Sequence, residues 1–401
     1  MNTKGKRLLI LGAGRGQIGL YKAAHEMGVT TIAGTLPDSN PPCISLADEI
    51  CYMNILDPDE VERKASKFFF DGVATCCLDK GLKALGRLCD KYSIPGYTEN
   101  AAELCNNKLK MKIRLIEQGV NTAPFKRISR EDDVCSAVEY LGGYPIIIKA
   151  TDLAGSKGIY KASNKEEAIC GFRKAKQETK KEFLLIEKFL EGKEFGCQAF
   201  IYNGNVLFVM PHGDLLYNAA TAVPIGHYVP YECSDELLSK ITVESKKAII
   251  ALGLNDCAVN IDFIEVNGNV YILELSGRAG ANCLPELVSI NYGINYYKMI
   301  VSAALGIDPQ DIWNERNKGK AGLAKMIISQ DKSGILKSIQ YNGRKEPYIF
   351  DINLFAKPGS EVYKFRNSNH CLAQVVVQGD NLQECYDRAD KVISDISIEI
   401  Q

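Results

Sequence analysis

Two carboxylates and an arginine in one short stretch are the residues of this chain best suited to chemistry. Asp262 and Glu274 lie between Asn260 and Gly280, a stretch that reads as a β-hairpin. Val259 to Val266 is rich in β-branched and aromatic residues, Asn267-Gly268 is a two-residue turn of the primed type, and Val270 to Leu275 returns as the second strand. Both carboxylates are flanked by apolar residues, so they are expected to point together toward one covered face. Like charges held that close repel unless a cation lies between them. Mg²⁺ suits the place, being hard and commonly held by one or two carboxylates plus substrate phosphates. Arg278 follows Ser276-Gly277, placed to hold an anion beside the metal. An ordinary hairpin in which Glu274 pairs with Arg278 fits the same local pattern.

Lys149 ends the apolar run Tyr144 to Lys149, and a charge there needs an anion or water. The loop from Asp152 to Gly158 follows at once, with Gly155, Ser156 and Lys157. Its glycines can turn backbone N–H groups toward phosphate oxygens, although the spacing is not that of a Walker A loop. A second glycine loop, Gly12 to Gly19, lies between a strand at Lys6 to Leu11 and a helix at about Leu20 to Met27, with a further strand at Val29 to Gly34. That is a βαβ unit. The glycines depart from the G-x-G-x-x-G spacing, and no acidic residue closes the second strand, so the unit is Rossmann-like without nicotinamide binding. Tight turning alone also accounts for these glycines.

The elements that must position these residues follow from periodicity. Helices are predicted at about Pro58 to Phe68 and Lys80 to Tyr92, a strand at Gly72 to Cys76, and a boundary near residue 98. One helix is expected over Ala101 to Gln118, where Lys108, Lys110 and Lys112 read as a solvated basic face. Thr122 to Ile128 is extended, with helices at about Arg130 to Leu141 and Lys165 to Glu178. Phe183 to Glu187 is a strand ending in an acidic turn that carries Lys188, Leu190 and Glu194. Strands follow at Phe195 to Tyr202 and Val206 to Met210. Pro211 to Pro230, with His212, Asp214, Tyr217 and His227, reads as a long loop of the kind that often carries function. Asp235 to Leu252 is an amphipathic helix leading into the hairpin. Beyond about Glu315, strands at Ala321 to Ser329, Gly334 to Tyr341, Tyr348 to Leu354 and Leu372 to Val377 precede a helix at Asn381 to Ile396. This is a small α+β unit with no catalytic constellation of its own.

Composition bounds the function classes. The 401 residues suggest two or three domains, and 46% hydrophobic and 24% charged residues are ordinary for a soluble protein. A net charge of −1 gives no reason to expect a nucleic-acid or membrane partner. No apolar run approaches the roughly 18 residues of a membrane span. The basic start and short apolar run of the N-terminus end in a glycine loop, so they read as a first strand rather than a signal peptide. The 14 cysteines have no Cys-x-x-Cys pair, as in a reduced cytoplasmic chain. None of the four histidines lies in a metal-ligand spacing.

Taken together, these motifs resemble the ATP-grasp superfamily over nearly the whole chain, and the carboxylate–amine ligases that act on L-amino acids in particular. Ile225-Gly-His-Tyr-Val-Pro230, ahead of the helix and the acidic hairpin, is similar to that group. The resemblance implies an α/β and α+β multidomain fold. It would comprise a Rossmann-like pre-ATP-grasp domain over 1–98, an ATP-grasp domain over 99–315 with a lid subdomain at about 121–188, and a small C-terminal α+β domain over 316–401. It implies ATP and Mg²⁺, with Mn²⁺ as a substitute. Lys108 would reach the α-phosphate and Lys149 the α- and β-phosphates. Gly155, Ser156 and Gly158 would close over the β- and γ-phosphates. Glu187, Lys188 and Leu190 would lie at the adenine, and Glu194 would take the ribose hydroxyls. Asp262 and Glu274 would hold the metal, and Arg278 would stabilise an acyl-phosphate and the tetrahedral state after it. The family's metal motif reads Glu-x-Asn-x-Arg, whereas this chain has Glu274-Leu-Ser276-Gly-Arg278, so Ser276 would have to replace an asparagine ligand directly or through water.

The implied activity is ligation of a carboxylate, an amino acid or similar small acid, to an amine through an acyl-phosphate, with release of ADP and phosphate. Such chemistry rests on positioning and charge neutralisation and needs no covalent nucleophile. Carboxylation through carboxyphosphate, as in biotin carboxylases or purine-pathway members, is a second reading, and a nucleotide-binding protein without catalysis is a third. A cytoplasmic homodimer acting on small molecules is expected.

Overall fold

The computed structural model describes residues 3–37, 41–153, 158–218 and 222–401. Gly155, Ser156 and Lys157 of the second glycine loop lie outside the described residues. The chain has mixed α/β content arranged in several sheets.

The first sheet is parallel. Arg7–Leu11 pairs with Thr30–Thr35 on one side and Gly72–Ala74 on the other, and Glu49–Tyr52 forms the outer edge. Leu8, Leu9, Ile10 and Leu11 are all buried, as a strand covered on both faces requires. The glycine loop passes through a short 3₁₀ turn, Arg15–Gln17, into the helix Ile18–Glu26. The loops beyond the carboxyl ends of Arg7–Leu11 and Gly72–Ala74 therefore open toward the rest of the chain, the edge at which parallel sheets bind ligands.

A second, antiparallel sheet takes the order Phe125–Ile128, Leu184–Lys188, Ile146–Lys149 and Ile159–Ala162. Ile146 and Ile148 are fully buried in the core that includes Val134, Ala137, Ala168 and Phe172 of the helices Asp133–Tyr140 and Lys165–Glu178. Strand alternation then turns Ile147, Lys149 and Glu187 to the opposite face, where they line a cleft.

The third sheet has eight strands and runs through most of the molecule. Its order is Asn269–Ser276, Cys257–Val266, Lys193–Tyr202, Asn205–Asn218, Ala222–Val229, Ala321–Ile328, Cys371–Gly379 and Ile349–Leu354. Two sequence expectations change. Pro211 to Pro230 is not a loop: the preceding strand continues through it to Asn218 and returns from Ala222, with Asp214 opposite His227. Its polar residues disguise strand alternation because they face the cleft and not bulk solvent. The region past 315 forms strands and the helix Leu382–Ser394, as an α+β unit should, and three of its strands join this same sheet. The single helix expected over 101–118 is two, Glu99–Asn106 and Lys108–Glu117. Asn107 breaks it with an extended backbone and caps the second helix by accepting from the Lys110 N–H at 3.2 Å. A small sheet of Glu361–Val362, Gly334–Tyr341 and Ile396–Ile400 completes the C-terminal part.

The hairpin forms with Asp262 directly opposite Glu274. Asn267 and Gly268 both take positive φ, as the primed turn demands. The register shifts immediately beyond this pair, with Phe263 opposite Ile272, so Leu273 is an extra, unpaired residue. This bulge changes the parity of the second strand. Val270 and Ile272 point into the core, Leu273 and Glu274 line the cleft, and Leu275 returns to the core.

Phe263 anchors the first strand from below, stacked 5.4 Å from Phe195, which in turn stacks 4.8 Å from Tyr231. Phe263 is fully buried. Phe263→Ala should therefore destabilise the protein by about 3–5 kcal/mol. Chemical denaturation would read this as a lowered midpoint at unchanged slope, and an unshifted midpoint would contradict the packing described.

Candidate functional site

A cleft of about 600 Å³ lies between the second sheet and the hairpin end of the third. Lys108, Lys149, Glu187, Lys188, Leu190, Glu194, Asp262, Glu274 and Arg278 all line it. Gly158 has φ +66° and carries the backbone from the second glycine loop into the strand beside Lys149. Ser276 does not line the cleft in the same way. Its hydroxyl donates to Asp79 Oδ1 at 2.5 Å.

One wall of the cleft carries a buried charge cluster. Lys149 Nζ lies 2.9 Å from Glu187 Oε2, and Lys112 Nζ lies 3.3 Å from the same oxygen. Glu187 and Lys112 are each only 2% exposed, which makes them members of this cluster and not of a solvated face. Burial works against the Glu187 charge, but Lys149 and Lys112 outweigh it and hold the carboxyl below its usual range. The burden falls on Lys112, whose ammonium is pulled down by the same burial. Two ammonium groups share one carboxylate, so the cluster keeps an excess of positive charge facing the cleft. Lys112 was hidden in a lysine-rich helix. The available signal was its place one residue after the buried Met111 and three before the buried Leu115.

At the opposite end, Glu274 Oε2 lies 3.1 Å from Lys108 Nζ. The Glu274–Arg278 pair offered by the local pattern does not form. Arg278 instead makes a two-pronged contact with Asp79, Nε to Oδ1 and Nη2 to Oδ2, both at 2.8 Å. Asp79 lies beyond the carboxyl end of the Gly72–Ala74 strand, so the first sheet aims the arginine of the third. Burial opposes the Asp79 charge, and Arg278 and the Ser276 hydroxyl more than compensate, keeping the carboxyl below its usual range. Asp79 was missed because nothing local marks it; its position at the ligand-binding edge of a parallel sheet was the only cue.

The Asp262 carboxylate is steadied by Asn260, whose amide donates to Oδ1 at 3.1 Å and accepts from Gln198 Nε2 at 2.6 Å. Asn260 sits directly across from Ser276. A side-chain amide therefore stands beside the carboxylate pair, on the neighbouring strand to the one the motif would place it on. Asp262 opens to the cleft but is walled by protein on its other sides. Loss of bulk water around it, and then the charge of Glu274, push its pKa up to about 7, with Arg278 opposing. Two carboxylate oxygen donors on adjacent strands fit a hard divalent cation.

A second cavity, of about 750 Å³, lies between the first glycine loop and the C-terminal strands. Ala281 and Asn282 line both cavities. The larger one carries Arg15 and Lys22 as cations and Glu26, Glu286 and Asp351 as anions. Burial pushes the Glu286 pKa up to about 7, against a 2.8 Å hydrogen bond from the Tyr297 hydroxyl to Oε1.

The raised Asp262 pKa gives a pH dependence of defined sign. Below about pH 7 a proton competes with the metal for this carboxylate, so Mg²⁺ affinity should rise from about pH 6 to about pH 8 and then level off. Titration calorimetry should show this for the wild type, with Asp262→Asn binding more weakly and without the slope. A pH-independent wild-type affinity would remove Asp262 from the metal.

Comparison with known proteins bears on this arrangement. An ATP-grasp domain model matches residues 142–286, and a model of the L-amino acid ligase C-terminal domain 2 matches 326–401. The crystal structure of phosphoribosylglycinamide synthetase from Anaerococcus prevotii superposes with a TM-score of 0.89 at 51% identity, covering 99% of this chain and 100% of that one. The L-amino acid ligase from Bacillus licheniformis superposes at 0.82 over 99% of both chains, at 18% identity, a likeness of fold. The carbamoyl phosphate synthase large chain of Clostridium botulinum strain Langeland is 24% identical over 296 residues, 69% of this chain and 27% of that protein. The chain thus spans about a quarter of the length of that curated relative. No described helix is long and apolar enough to cross a membrane. High identity along the whole of one relative, with the nucleotide-clamping core matched in its own right, shows that this chain belongs to the ATP-grasp family.

Proposed function

We propose that the chain is an ADP-forming ligase that joins a small carboxylate to an amine through an acyl-phosphate. The observation that carries this reading is the arrangement of cations around the Asp262–Glu274 pair. Lys108 and Arg278 stand beside that pair, and Lys149 and Lys112 share a single carboxylate across the cleft.

The excess positive charge at Lys149 and Lys112 binds the phosphate chain of ATP, and Lys108 adds to it from the linker helix. The terminal phosphates are assigned to Gly155, Ser156 and Gly158, on sequence alone for the first two. Glu187, Lys188 and Leu190 border the adenine, and Glu194 takes the ribose hydroxyls. Mg²⁺, when bound by Asp262 and Glu274, supplies neutralisation of the charge on the phosphates. Asn260 steadies Asp262, while Asp79 holds Arg278 in the orientation that receives an anion. The planar fork of Arg278 binds two oxygens at once and keeps its charge, so it steadies the substrate carboxylate and then the oxyanion formed when the amine attacks. Ser276 serves this site through Asp79 and not as a metal ligand. Acid and amine come from the 750 Å³ cavity, which meets the nucleotide cleft at Asn282. Its mixture of cations and anions suits a zwitterionic or phosphorylated small molecule, and phosphoribosylglycinamide is a candidate product on the strength of the 51% identical relative.

The test is phosphate release with Mg-ATP and paired acids and amines, glycine with a phosphorylated ribosylamine included. ADP and an amide should appear only when both partners are present. AMP and pyrophosphate would sink the acyl-phosphate route, and release with bicarbonate alone would move the protein to the carboxylases.

Two variants sharpen this. Arg278→Lys should lower kcat by about 10²–10³ with ATP affinity little changed, because an ammonium cannot reproduce the fork. Lys149→Ala should instead weaken ATP binding, read by calorimetry. Equal ATP affinity in wild type and Lys149→Ala would remove that lysine from the site.

A further inference from the structure

The strands that replace the expected 211–230 loop bring together three side chains that the ligase reading leaves without a role. His212 and Asp214 are two residues apart on one strand and so share a face. His227 is the cross-strand partner of Asp214. We propose that His212, Asp214 and His227 form a binding site for a borderline divalent metal ion of the Zn²⁺, Co²⁺ or Fe²⁺ class, separate from the Asp262–Glu274 pair.

The geometry is that of a preformed site. One ligand atom from each residue lies within 4.8 Å of the others. His227 Nδ1 is 2.6 Å and His212 Nδ1 3.2 Å from Asp214 Oδ1. Neither ring nitrogen of His212 makes a hydrogen bond although the side chain is buried, and Nδ1 meets Asp214 only as a charge contact. Orphaned buried donors and acceptors are uncommon, and one aimed at a carboxylate and a second imidazole calls for a ligand. The ring is seated deliberately. His212 lies across from Gly196, where a Cβ would come within 2.1 Å of its Cε1 and 2.3 Å of its Nε2. Only glycine there leaves room for the imidazole.

Two imidazoles and one carboxylate select borderline metals over Mg²⁺, which prefers oxygen donors. Three protein ligands leave coordination positions open, as in sites that exchange water for substrate. All three residues line the 600 Å³ cleft, so the open positions face the nucleotide and its co-substrate. Gly196 is also the cross-strand partner of Asp262, so the two metal sites lie on one row of the sheet with a single glycine between them. A carboxylate or amine nitrogen of the substrate is the donor suited to the open position.

The test uses the full chain, stripped with a chelator, dialysed and kept in excess Mg²⁺ to fill the carboxylate pair. Co²⁺ is then titrated and followed by its visible d–d bands and by elemental analysis after dialysis. A single ion per chain should bind, without a sulfur-to-cobalt charge-transfer band. Asp214→Asn and His212→Asn should each weaken binding by about 100-fold, and His227→Gln provides the same test if either fails to fold by circular dichroism. Glu274→Gln should leave Co²⁺ affinity within about twofold. The proposal is overturned if no Co²⁺ is retained, if the charge-transfer band appears and shows cysteine ligation, if the three variants bind like wild type, or if Glu274→Gln alone abolishes binding.

Discussion

The register of the 257–276 hairpin is the constraint on which the site depends. Asp262 must stand opposite Glu274, and both must face the cleft while Phe263, Ile272 and Leu275 face the core. A slip of one residue would send every side chain to the other face. The core residues hold the register on one side, and the bulge at Leu273 lets both demands be met at once. The row continues across the sheet through Gly196 to His212, so the same register sets the polar lining of the cleft as far as its fourth strand.

Two adjacent carboxylates make a local excess of negative charge, and the neighbouring elements answer it. Lys108 comes from the helix that Asn107 starts, and Arg278 from the turn after the hairpin. Lys149 and Lys112 form a second, positive centre around Glu187 on the other wall. One wall thus carries a carboxylate pair and the other a pair of ammonium groups. The Lys149 and Lys112 pairs are nearly removed from solvent, so they are screened far less than surface ion pairs, and losing Glu187 would leave two ammonium groups uncompensated.

The sheets are joined through ligand-facing groups as well as through apolar cores. Asp79, in the loop beyond the first sheet, grips Ser276 at the end of the hairpin and Arg278 just after it, and Arg15 of the glycine loop donates to the Ser368 carbonyl at 2.9 Å. Strand Ala222–Val229 pairs with Ala321–Ile328, so the nucleotide-binding part and the C-terminal strands share one hydrogen-bonded sheet. Both cavities meet at Ala281 and Asn282, just where the chain leaves the hairpin.

The amino-acid sequence by itself determined the local devices. The Asn267-Gly268 turn, the apolar run ending in Lys149 and the carboxylates within β-rich segments are all short-range signals, because turn chemistry and side-chain alternation are properties of neighbours. They made the hairpin, its acidic pair and the α/β frame legible before any coordinates. The tertiary structure decided the rest, because it depends on partners distant in sequence. Plain alternation would put Val270, Ile272 and Glu274 on one face; only pairing with the strand Cys257–Val266 creates the bulge that separates Glu274 from them. Likewise Asp79 meets Arg278, Lys112 meets Glu187, and His212 and Asp214 meet His227 only once the sheets have formed. The polar residues of 211–230 read as loop because their hydrogen-bonding partners lie on neighbouring strands, and only strand pairing supplies those.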